Sequence, residues 1–482
     1  MIANLRAESP RGSGALSPPD RKEIPMQKQS NALIRDLTTG SVSRQLITFA
    51  TPLFLSSLLQ TVYSMVDMIV VGQFVGSIGL SAVSVGSEIL NVLMFVAMGF
   101  SNAGQIIISQ FIGAERRDDV RRLIGTLFSF LLLCAVALTV VCLIIRAQLL
   151  AWVNVPAEAL EQASAYVTTC ICGLIFVYGY NLVSAILRGM GDSRHPFLFV
   201  AIASVINLAL DLLFIAVFHW GAFGAALATI IGQAVSFICA IAFLYRSRES
   251  LGFDFAPSSF RIDRNMLRPL IRLGIPMVLQ SAAISISHLF ITAQINTYGV
   301  VASAVTGIGA KLSSITNVFA SALSTAGGSM VAQNIGAKKF DRVPRILITS
   351  FAVDGVISAA LSAVTILYPR AVFGLFTGDE AVLTMAIEYI PVAVLQYASC
   401  MLRQPMSSLI NGSGNANLNL AVALLDGIIV RIGLATFLGR ACGFGIYGFW
   451  YGNALSSFVP FFIGGAYYLS GRWRTRNDIL NR

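Results

Sequence analysis

The chain is dominated by long apolar segments of roughly twenty residues each, separated by short polar joints that contain Gly or Pro. An apolar segment of this length crosses the ~30 Å hydrocarbon core of a bilayer as an α-helix. Twelve such segments can be recognised, at about residues 47–71, 84–110, 123–145, 162–186, 197–218, 223–244, 270–296, 304–333, 346–368, 384–410, 417–438 and 445–469. The pattern therefore predicts an all-α integral membrane protein with twelve transmembrane helices.

Composition agrees with this pattern, since 56% of the 482 residues are hydrophobic and only 12% are charged. The formal net charge of +10 raises the question of a nucleic-acid partner. However, Arg and Lys crowd the N-terminal tail and every second joint, whereas the intervening joints hold little beyond Arg146, Arg370 and Arg440. This positive-inside pattern predicts an even number of spans with both termini in the cytoplasm, and it argues against a nucleic-acid role.

The chain also repeats itself at an offset of about 223 residues. Residues 110–114 match 333–337, and residues 189–192 match 412–415, each at the same place relative to its spans. Because the offset covers six spans, the halves are parallel repeats that enclose a central cleft, as alternating-access transport requires. The predicted order is a cytoplasmic N-terminal tail (1–40), a six-helix bundle (41–245), a cytoplasmic linker (246–268), a second, pseudo-symmetric six-helix bundle (269–470) and a cytoplasmic C-terminal tail (471–482).

Acidic residues inside the spans are candidates for function, because a charged side chain at the bilayer centre costs at least ~2.5–3.5 kcal/mol. Asp67 in span 1 and Asp211 in span 5 lie at a similar depth, near the outer ends of their spans. Tyr63 and Asn207 precede these aspartates by four residues, so each polar pair shares a helix face. Two neighbouring carboxylates do not easily both ionise in a low dielectric, so the cluster could carry a proton. A static interhelical hydrogen-bond network is the alternative.

Several motifs, in this order and at these spacings, resemble the multidrug and toxic compound extrusion (MATE) family. They are Thr51-Pro52, residues 59–67 with Val71-Gly72, Gly113-Ala114, and residues 187–192, 207–211 and 224–229. The resemblance covers about residues 36–470 and is greatest to the bacterial DNA-damage-inducible branch. It implies an antiporter of the bacterial inner membrane that exports drugs and other small, often cationic or amphipathic compounds while H⁺ or Na⁺ enters. It also implies a cation-coupling cluster of Tyr63, Asp67, Asn207, Asp211 and Thr229.

The second half does not repeat the acid pair, since Phe290 or Ile291 stands opposite Asp67 and residues 432–435 stand opposite Asp211. Coupling is therefore expected in the first half, with the second half contributing mainly cleft and substrate contacts. Some sodium-linked family members carry a glutamate four residues after the span-7 proline, where this chain has Gln280. This difference favours H⁺ over Na⁺, although an oxygen-rich site could hold sodium.

Three residues are candidate substrate contacts in the cleft, namely Gln60, Gln280 and Asp426. Asp426 could neutralise a cationic substrate, or it could pair with a basic side chain from another helix, and both interpretations stay open. Arg431, five residues later, is expected to organise the bundle. Asp354 in span 9 is expected to be a structural pair partner.

Two further pairs follow from the repeat. Pro52 and Pro276 occupy matching positions in spans 1 and 7, where they could act as hinges or as simple kinks. Glu88 and Lys311 occupy equivalent positions near the outer ends of spans 2 and 8 and bear opposite charges. They are a candidate latch at the outer rim when the cleft faces inward, with two solvated charges as the alternative.

No Walker loop, His/Cys metal set or nucleophile arrangement is visible, so the sequence predicts a secondary transporter, not an enzyme, without cofactor or metal. The chain is expected to act as a monomer on small-molecule substrates in a lipid bilayer. The alternative function is a flippase for a lipid-linked oligosaccharide precursor. Its anionic headgroup would call for basic side chains where the first-half spans offer acids.

Overall fold

The computed structural model describes residues 34–153, 155–475 and 479. Most of the predicted N-terminal tail and much of the predicted C-terminal tail therefore lie outside the described residues. Within those ranges all regular secondary structure is helical.

The first half forms the helices α1 (Val42–Phe74), α2 (Gly76–Gly113), α3 (Arg117–Ile144), α4 (Leu160–Cys172 and Leu174–Gly189), α5 (Arg194–Asp211, continued by Leu212–Val217) and α6 (Gly221–Arg246). The second half forms α7 (Arg264–Asn296), α8 (Val300–Gly336), α9 (Arg342–Leu367), α10 (Glu380–Gly412), α11 (Ala416–Leu424, continued to Ala441) and α12 (Ile446–Ser456 and Val459–Leu469). Short helical turns occupy several joints, at Arg146–Trp152, Ala157–Ala159, Arg248–Leu251, Pro257–Phe260, Pro369–Gly374 and Arg472–Thr475.

These helices account for the predicted spans. Nine of the described helices are long and apolar enough to cross a membrane, and a tenth when the two pieces of α4, bent by 47°, count as one. The remaining two are α8, which has 37 residues with many Ser, Thr and Asn side chains, and α12, which is divided between Ser456 and Val459. Large apolar side chains such as Leu133, Val205 and Leu289 are exposed, as lipid-facing positions require. The prediction of an all-α membrane protein is confirmed.

The halves repeat backbone geometry as well as sequence. After α2 and α8, the equivalent residues Glu115 and Lys338 both adopt a positive φ, of 59° and 57°. Before α5 and α11, Gly191 and Gly414 adopt φ values of 85° and 69°, in the left-handed region that glycine reaches without steric cost. The glycine motif recognised in the sequence is therefore a turn that both halves need.

The fifth helix of each half contains a π-helical segment. In α5 it covers Leu212–Val217, and in α11 the corresponding segment covers Phe437–Ala441. The second half has one more such segment, Leu425–Val430, which follows the nine α-helical residues at the start of α11. π-Helical segments are rare and frequently accompany functional sites.

The halves meet closely at the end of the bundle that carries the Arg-rich and Lys-rich joints, here termed the basic end. At this end α2 crosses α8 so tightly that a Cβ on Gly113 would lie 2.0 Å from Gln333 O, and a Cβ on Gly336 would lie 2.2 Å from Gln110 O. This crossing is termed the seam. The side chain of Gln110 donates across it to Gly412 O at 2.8 Å. Contacts between the halves extend from the seam to the stacked rings of Phe54 and Phe319, whose centroids are 4.0 Å apart.

The segment that precedes α1 adds a second connection at the basic end. Arg35 N donates to Met190 O in the first half at 2.9 Å. Leu37 N donates to Gln333 Oε1 in the second half at 3.0 Å, and Leu37 O accepts from Asn334 Nδ2 at 3.1 Å. Residues 35–37 therefore bind both halves together in the conformation that is closed at the basic end.

Candidate functional site

The two first-half aspartates come together where α1 packs against α5. Asp211 is the last residue of the α-helical part of α5, directly before the π-helical segment, and is 1% exposed. Asp67 lies on the facing side of α1, and the two carboxyl groups interact electrostatically with each other. Tyr63, one turn before Asp67, lies within the field of both acids. The structure thus brings together three residues that sequence separates by nearly 150 positions.

Asn207 and Thr229 complete the cluster. With the Asn207 amide oriented to satisfy its neighbours, Nδ2 donates to Asp211 Oδ2 at 3.2 Å and Oδ1 accepts from the backbone N–H of Thr229 at 3.2 Å. Asn207 therefore links α5 to α6 and holds the carboxyl of Asp211 in place. Thr229 contributes through its backbone, which its sequence position alone did not indicate.

One oxygen of each aspartate, Asp67 Oδ1 and Asp211 Oδ1, is buried without a hydrogen-bond partner in the described part of the chain. No Arg, Lys or His forms an ion pair with either acid among the same residues. Two buried carboxyl groups that repel each other and lack a basic partner require a proton or a bound cation. The arrangement can therefore take up positive charge.

A cavity lies beside this cluster, between α1, α4, α5 and α6. It contains about 330 Å³ of empty space, counting the part that is open to solvent. Its polar walls include Gln60, Tyr63, Asn207 and Thr229, four residues that the sequence singled out. The cavity gives solvent a route to the side of the cluster.

Several polar lining residues were missed by the sequence reasoning, namely Tyr180, Ser204, Gln233 and Ser236. Helical spacing could have identified two of them, because Ser204 precedes Asn207 by three residues and Gln233 follows Thr229 by four. Tyr180 was not singled out, because it lies in α4 among other polar residues such as Tyr178, Asn181 and Ser184. Its hydroxyl donates to Pro196 O at 3.2 Å.

The remaining first-half and α7 candidates lie outside this cluster. Gln60 is exposed and faces the cavity, and Gln280 is half-buried in α7. Pro52 and Pro276 both lie inside uninterrupted helices. The hinge role of these prolines stays a prediction, as does the substrate role of the two glutamines.

Glu88 and Lys311 are both exposed. Among the described residues no ion pair joins them. The latch was predicted for a cleft that faces inward, whereas this structure is closed at the basic end. The latch therefore stays a prediction.

The second half carries a buried ion pair at the extra π-helical segment of α11. Arg431 Nη2 donates to Asp426 Oδ1 at 2.7 Å, and the two side chains are 2% and 1% exposed. Arg431 also donates to Asn453 Oδ1 at 2.7 Å and to Ser457 Oγ at 3.2 Å. The expected role of Arg431 in organising the bundle is confirmed, because it joins α11 to α12.

The expected origin of the partner of Asp426 is wrong, since Arg431 lies on the same helix and not on another. A π-helical turn closes i to i+5 hydrogen bonds, so residues five positions apart lie on one side. This places Arg431 beside Asp426. The pairing favours the structural interpretation, and a substrate role for Asp426 stays a prediction.

Asp354 does not have the partner that was expected. It is 2% exposed in α9, and neither of its carboxyl oxygens has a hydrogen-bond partner within the described ranges. The prediction that it is a structural pair partner is therefore wrong. In the same ranges, no group of three or more His, Cys, Asp or Glu side chains is arranged to hold a metal ion.

The fold and the cluster define a polytopic membrane transporter built from two homologous six-helix halves. The model of the MatE family matches the chain twice, over residues 52–213 and 276–437. Because these matches cover more than half of the chain, the protein belongs to the MatE (multidrug and toxic compound extrusion) family. This confirms the family and the prediction of a transporter instead of an enzyme, while the branch within the family stays a prediction.

Named relatives agree with this assignment. The chain is 26% identical to the probable multidrug resistance protein YoeA of Bacillus subtilis, over 89% of this chain and 94% of the relative. It is 32% identical to the probable multidrug resistance protein YpnP of the same species, over 64% of this chain and 68% of the relative. A solved MOP superfamily transporter from Pyrococcus furiosus has the same fold, with a TM-score of 0.84 and 22% identity over 93% of this chain and 98% of that one.

Proposed function

We propose that this protein is a secondary antiporter that exports small, amphipathic and often cationic compounds in exchange for inward H⁺. The observation that carries the proposal is the pair of buried carboxyl groups, Asp67 and Asp211, which lie beside a polar cavity. Within the described ranges one oxygen of each is unpaired and neither acid has a basic partner. The relatives include proteins named as multidrug resistance and multidrug export proteins, which supports the export of drugs.

The coupling follows from charge balance. When the cluster is deprotonated, its two carboxylates lie together in a low dielectric, and a proton from the side opposite the basic end relieves their repulsion. Release of that proton on the other side requires the cavity to change sides. Rocking of the two halves about the cleft would accomplish this, with the seam opening as the opposite end closes. The absence of the glutamate at position 280 supports H⁺ over Na⁺ as the ion.

The positive-inside pattern supports an orientation with the basic end in the cytoplasm and both termini on that side. In a bacterium the membrane is the inner, or plasma, membrane. The chain has a complete cluster and cavity within its own first half, which supports a monomeric unit. The flippase alternative is not favoured, because the family match and the acid pair both point to ion-coupled export.

The test is accumulation of ethidium in inverted membrane vesicles, driven by an acidic lumen without sodium or by a sodium-rich lumen at equal pH. The proposal expects accumulation with the pH gradient, reduced to the background of empty vesicles in Asp67→Asn and in Asp211→Asn. Asp118→Asn is the matched control, because Asp118 is an acid whose side chain is 86% exposed at the start of α3.

The outcomes separate the parts of the proposal. Unchanged accumulation in both variants, with equal amounts of protein in the membrane, would show that the cluster does not couple transport. Drive by the sodium gradient alone would replace the ion and retain the site. No ethidium accumulation under either gradient would contradict a broad exporter of cationic compounds.

A further inference from the structure

The second half holds basic side chains at two positions where the first half holds neutral polar residues of the cavity wall. At an offset of 224 residues, which relates the two family matches, Arg431 corresponds to Asn207 and Asn453 to Thr229. At the offset of 223, which relates the equivalent turns of α4–α5 and α10–α11, Arg403 corresponds to Tyr180. Two guanidinium groups therefore occupy the positions that in the first half line the polar cavity.

The two guanidinium groups differ in how their charge is balanced. Arg431 is neutralised by Asp426 at 2.7 Å. Arg403 is half-buried in α10, and its Nη2 donates to the neutral amide oxygen of Asn317 at 2.8 Å. No ion pair reaches Arg403 among the described residues.

The groups around Arg403 do not compensate its charge in the described part of the chain. Arg431 lies within the electrostatic field of Arg403 but is itself paired with Asp426. His288, which also lies in this field, supplies no negative charge. Asp354, an acid of the neighbouring helix α9, is buried beside Cys400 and makes no hydrogen bond to Arg403 or any other described residue. An uncompensated guanidinium inside a transmembrane helix is costly, and such residues commonly mark a substrate or ion pathway.

We propose that Arg403, held by Asn317, forms an anion-binding subsite in the second-half wall of the cleft. Its ligand is the carboxylate of a zwitterionic amphipathic substrate. A guanidinium presents several N–H donors in one plane and so matches a carboxylate bidentately. The acid cluster of the first half attracts the cationic part of the same substrate, so the cleft is polarised from one half to the other. This inference rests on the proposed export function and specifies its substrate class.

The test uses two dyes that differ in one group, rhodamine B, which has a free carboxylate, and rhodamine B ethyl ester, which is a cation without one. Binding is measured by fluorescence anisotropy with purified protein, and transport by accumulation in inverted vesicles. In Arg403→Gln the preference for the acid over the ester should fall at least about tenfold, the order expected when a charge-assisted hydrogen bond is lost. Arg403→Lys should retain part of that preference, because it retains the charge but loses the planar donor pair.

A second variant keeps the arginine. Asn317→Asp places a carboxylate next to Arg403 and should also reduce the preference for the acid, by occupying the subsite from within. Arg370→Gln is the control, because Arg370 is an exposed residue 3.4 Å from Glu380.

Equal acid-to-ester ratios in the parent, Arg403→Gln and Asn317→Asp would overturn the subsite while leaving ester export, and hence the proposed function, intact. Failure of the parent to move either dye would instead contradict the exporter itself. In that case selective loss of rhodamine B binding in both variants would still support the subsite, and unchanged binding would overturn it.

Discussion

The two halves share a plan but differ in how they treat buried charge. In the first half, Asp67 and Asp211 lie close together with unpaired oxygens and no basic partner among the described residues. In the second half, Asp426 is neutralised by Arg431 through an additional π-helical turn. One duplicated scaffold thus holds two acids without a basic partner among the described residues in its first half, and an acid neutralised by an arginine in its second half.

The largest expected effect comes from breaking the second-half pair. Asp426→Asn leaves the Arg431 guanidinium buried without a counter-ion, which typically costs ~3–5 kcal/mol. Asp211→Asn removes an acid that has no ion-pair partner in the described part of the chain, so its effect on stability should be far smaller. Thermal unfolding of the detergent-solubilised protein measures both, and the comparison fails if the two variants unfold at the same temperature.

A double variant sharpens this test. Asp426→Leu combined with Arg431→Met removes both charges and fills similar volumes, so it should recover most of the lost stability. If it is as unstable as Asp426→Asn, the hydrogen bonds of Arg431 to Asn453 and Ser457 matter more than the ion pair.

The next effect concerns the seam, where the halves are alike. Gly113→Ala and Gly336→Ala each place a methyl group 2.0–2.2 Å from a backbone oxygen of the other half, and overpacking of this kind costs ~1–3 kcal/mol. Both should push the basic end apart by a similar amount. Spin labels at positions 118 and 341, in a chain without native cysteines, should report longer distances.

Gly307→Ala is the matched control for the seam, because nothing lies within 4 Å of a Cβ added to this glycine of α8. A distance distribution that changes equally in Gly307→Ala and Gly336→Ala would argue that loss of glycine itself, and not the crowded crossing, moves the helices.

The smallest effect is expected at the rim. If Glu88 and Lys311 pair when the cleft faces inward, Glu88→Gln should raise the labelling rate of a cysteine at position 84 by no more than a few-fold, because exposed ion pairs contribute ~0–1 kcal/mol. The exchange of both charges, Glu88→Lys with Lys311→Glu, should restore the parental rate. Equal rates in the parent and Glu88→Gln would argue for two solvated charges.

Much of this architecture could be predicted because hydrophobic length and internal repetition are properties of the sequence itself. The convergence of Asp67 with Asp211 followed from their equal depth. The interaction of Asn207 with the backbone of Thr229 could not be predicted, because a backbone partner leaves no mark on residue type.

The predictions that failed in the second half concern buried charged residues, whose partners depend on local helix geometry. A π-helical segment changes which residues share a helix face. The α-helical spacing rules therefore did not predict that Asp426 pairs with Arg431 of the same helix, and a partner on another helix was expected instead. The subsite proposed at Arg403 could not be predicted, because only the structure shows that no ion pair reaches this arginine among the described residues. For Asp354 a partner was predicted because burying an acid is costly. The structure shows no hydrogen-bond partner for it among the described residues.

The connection made by residues 35–37 has a consequence for the order of events during synthesis. The first half is translated and inserted while Gln333 and Asn334, which bind Leu37, do not yet exist. Leu37 therefore cannot make these hydrogen bonds until α8 has been synthesised. Closure of the basic end is thus a late step of biogenesis, in which one of the first segments to leave the ribosome is fixed by one of the later ones.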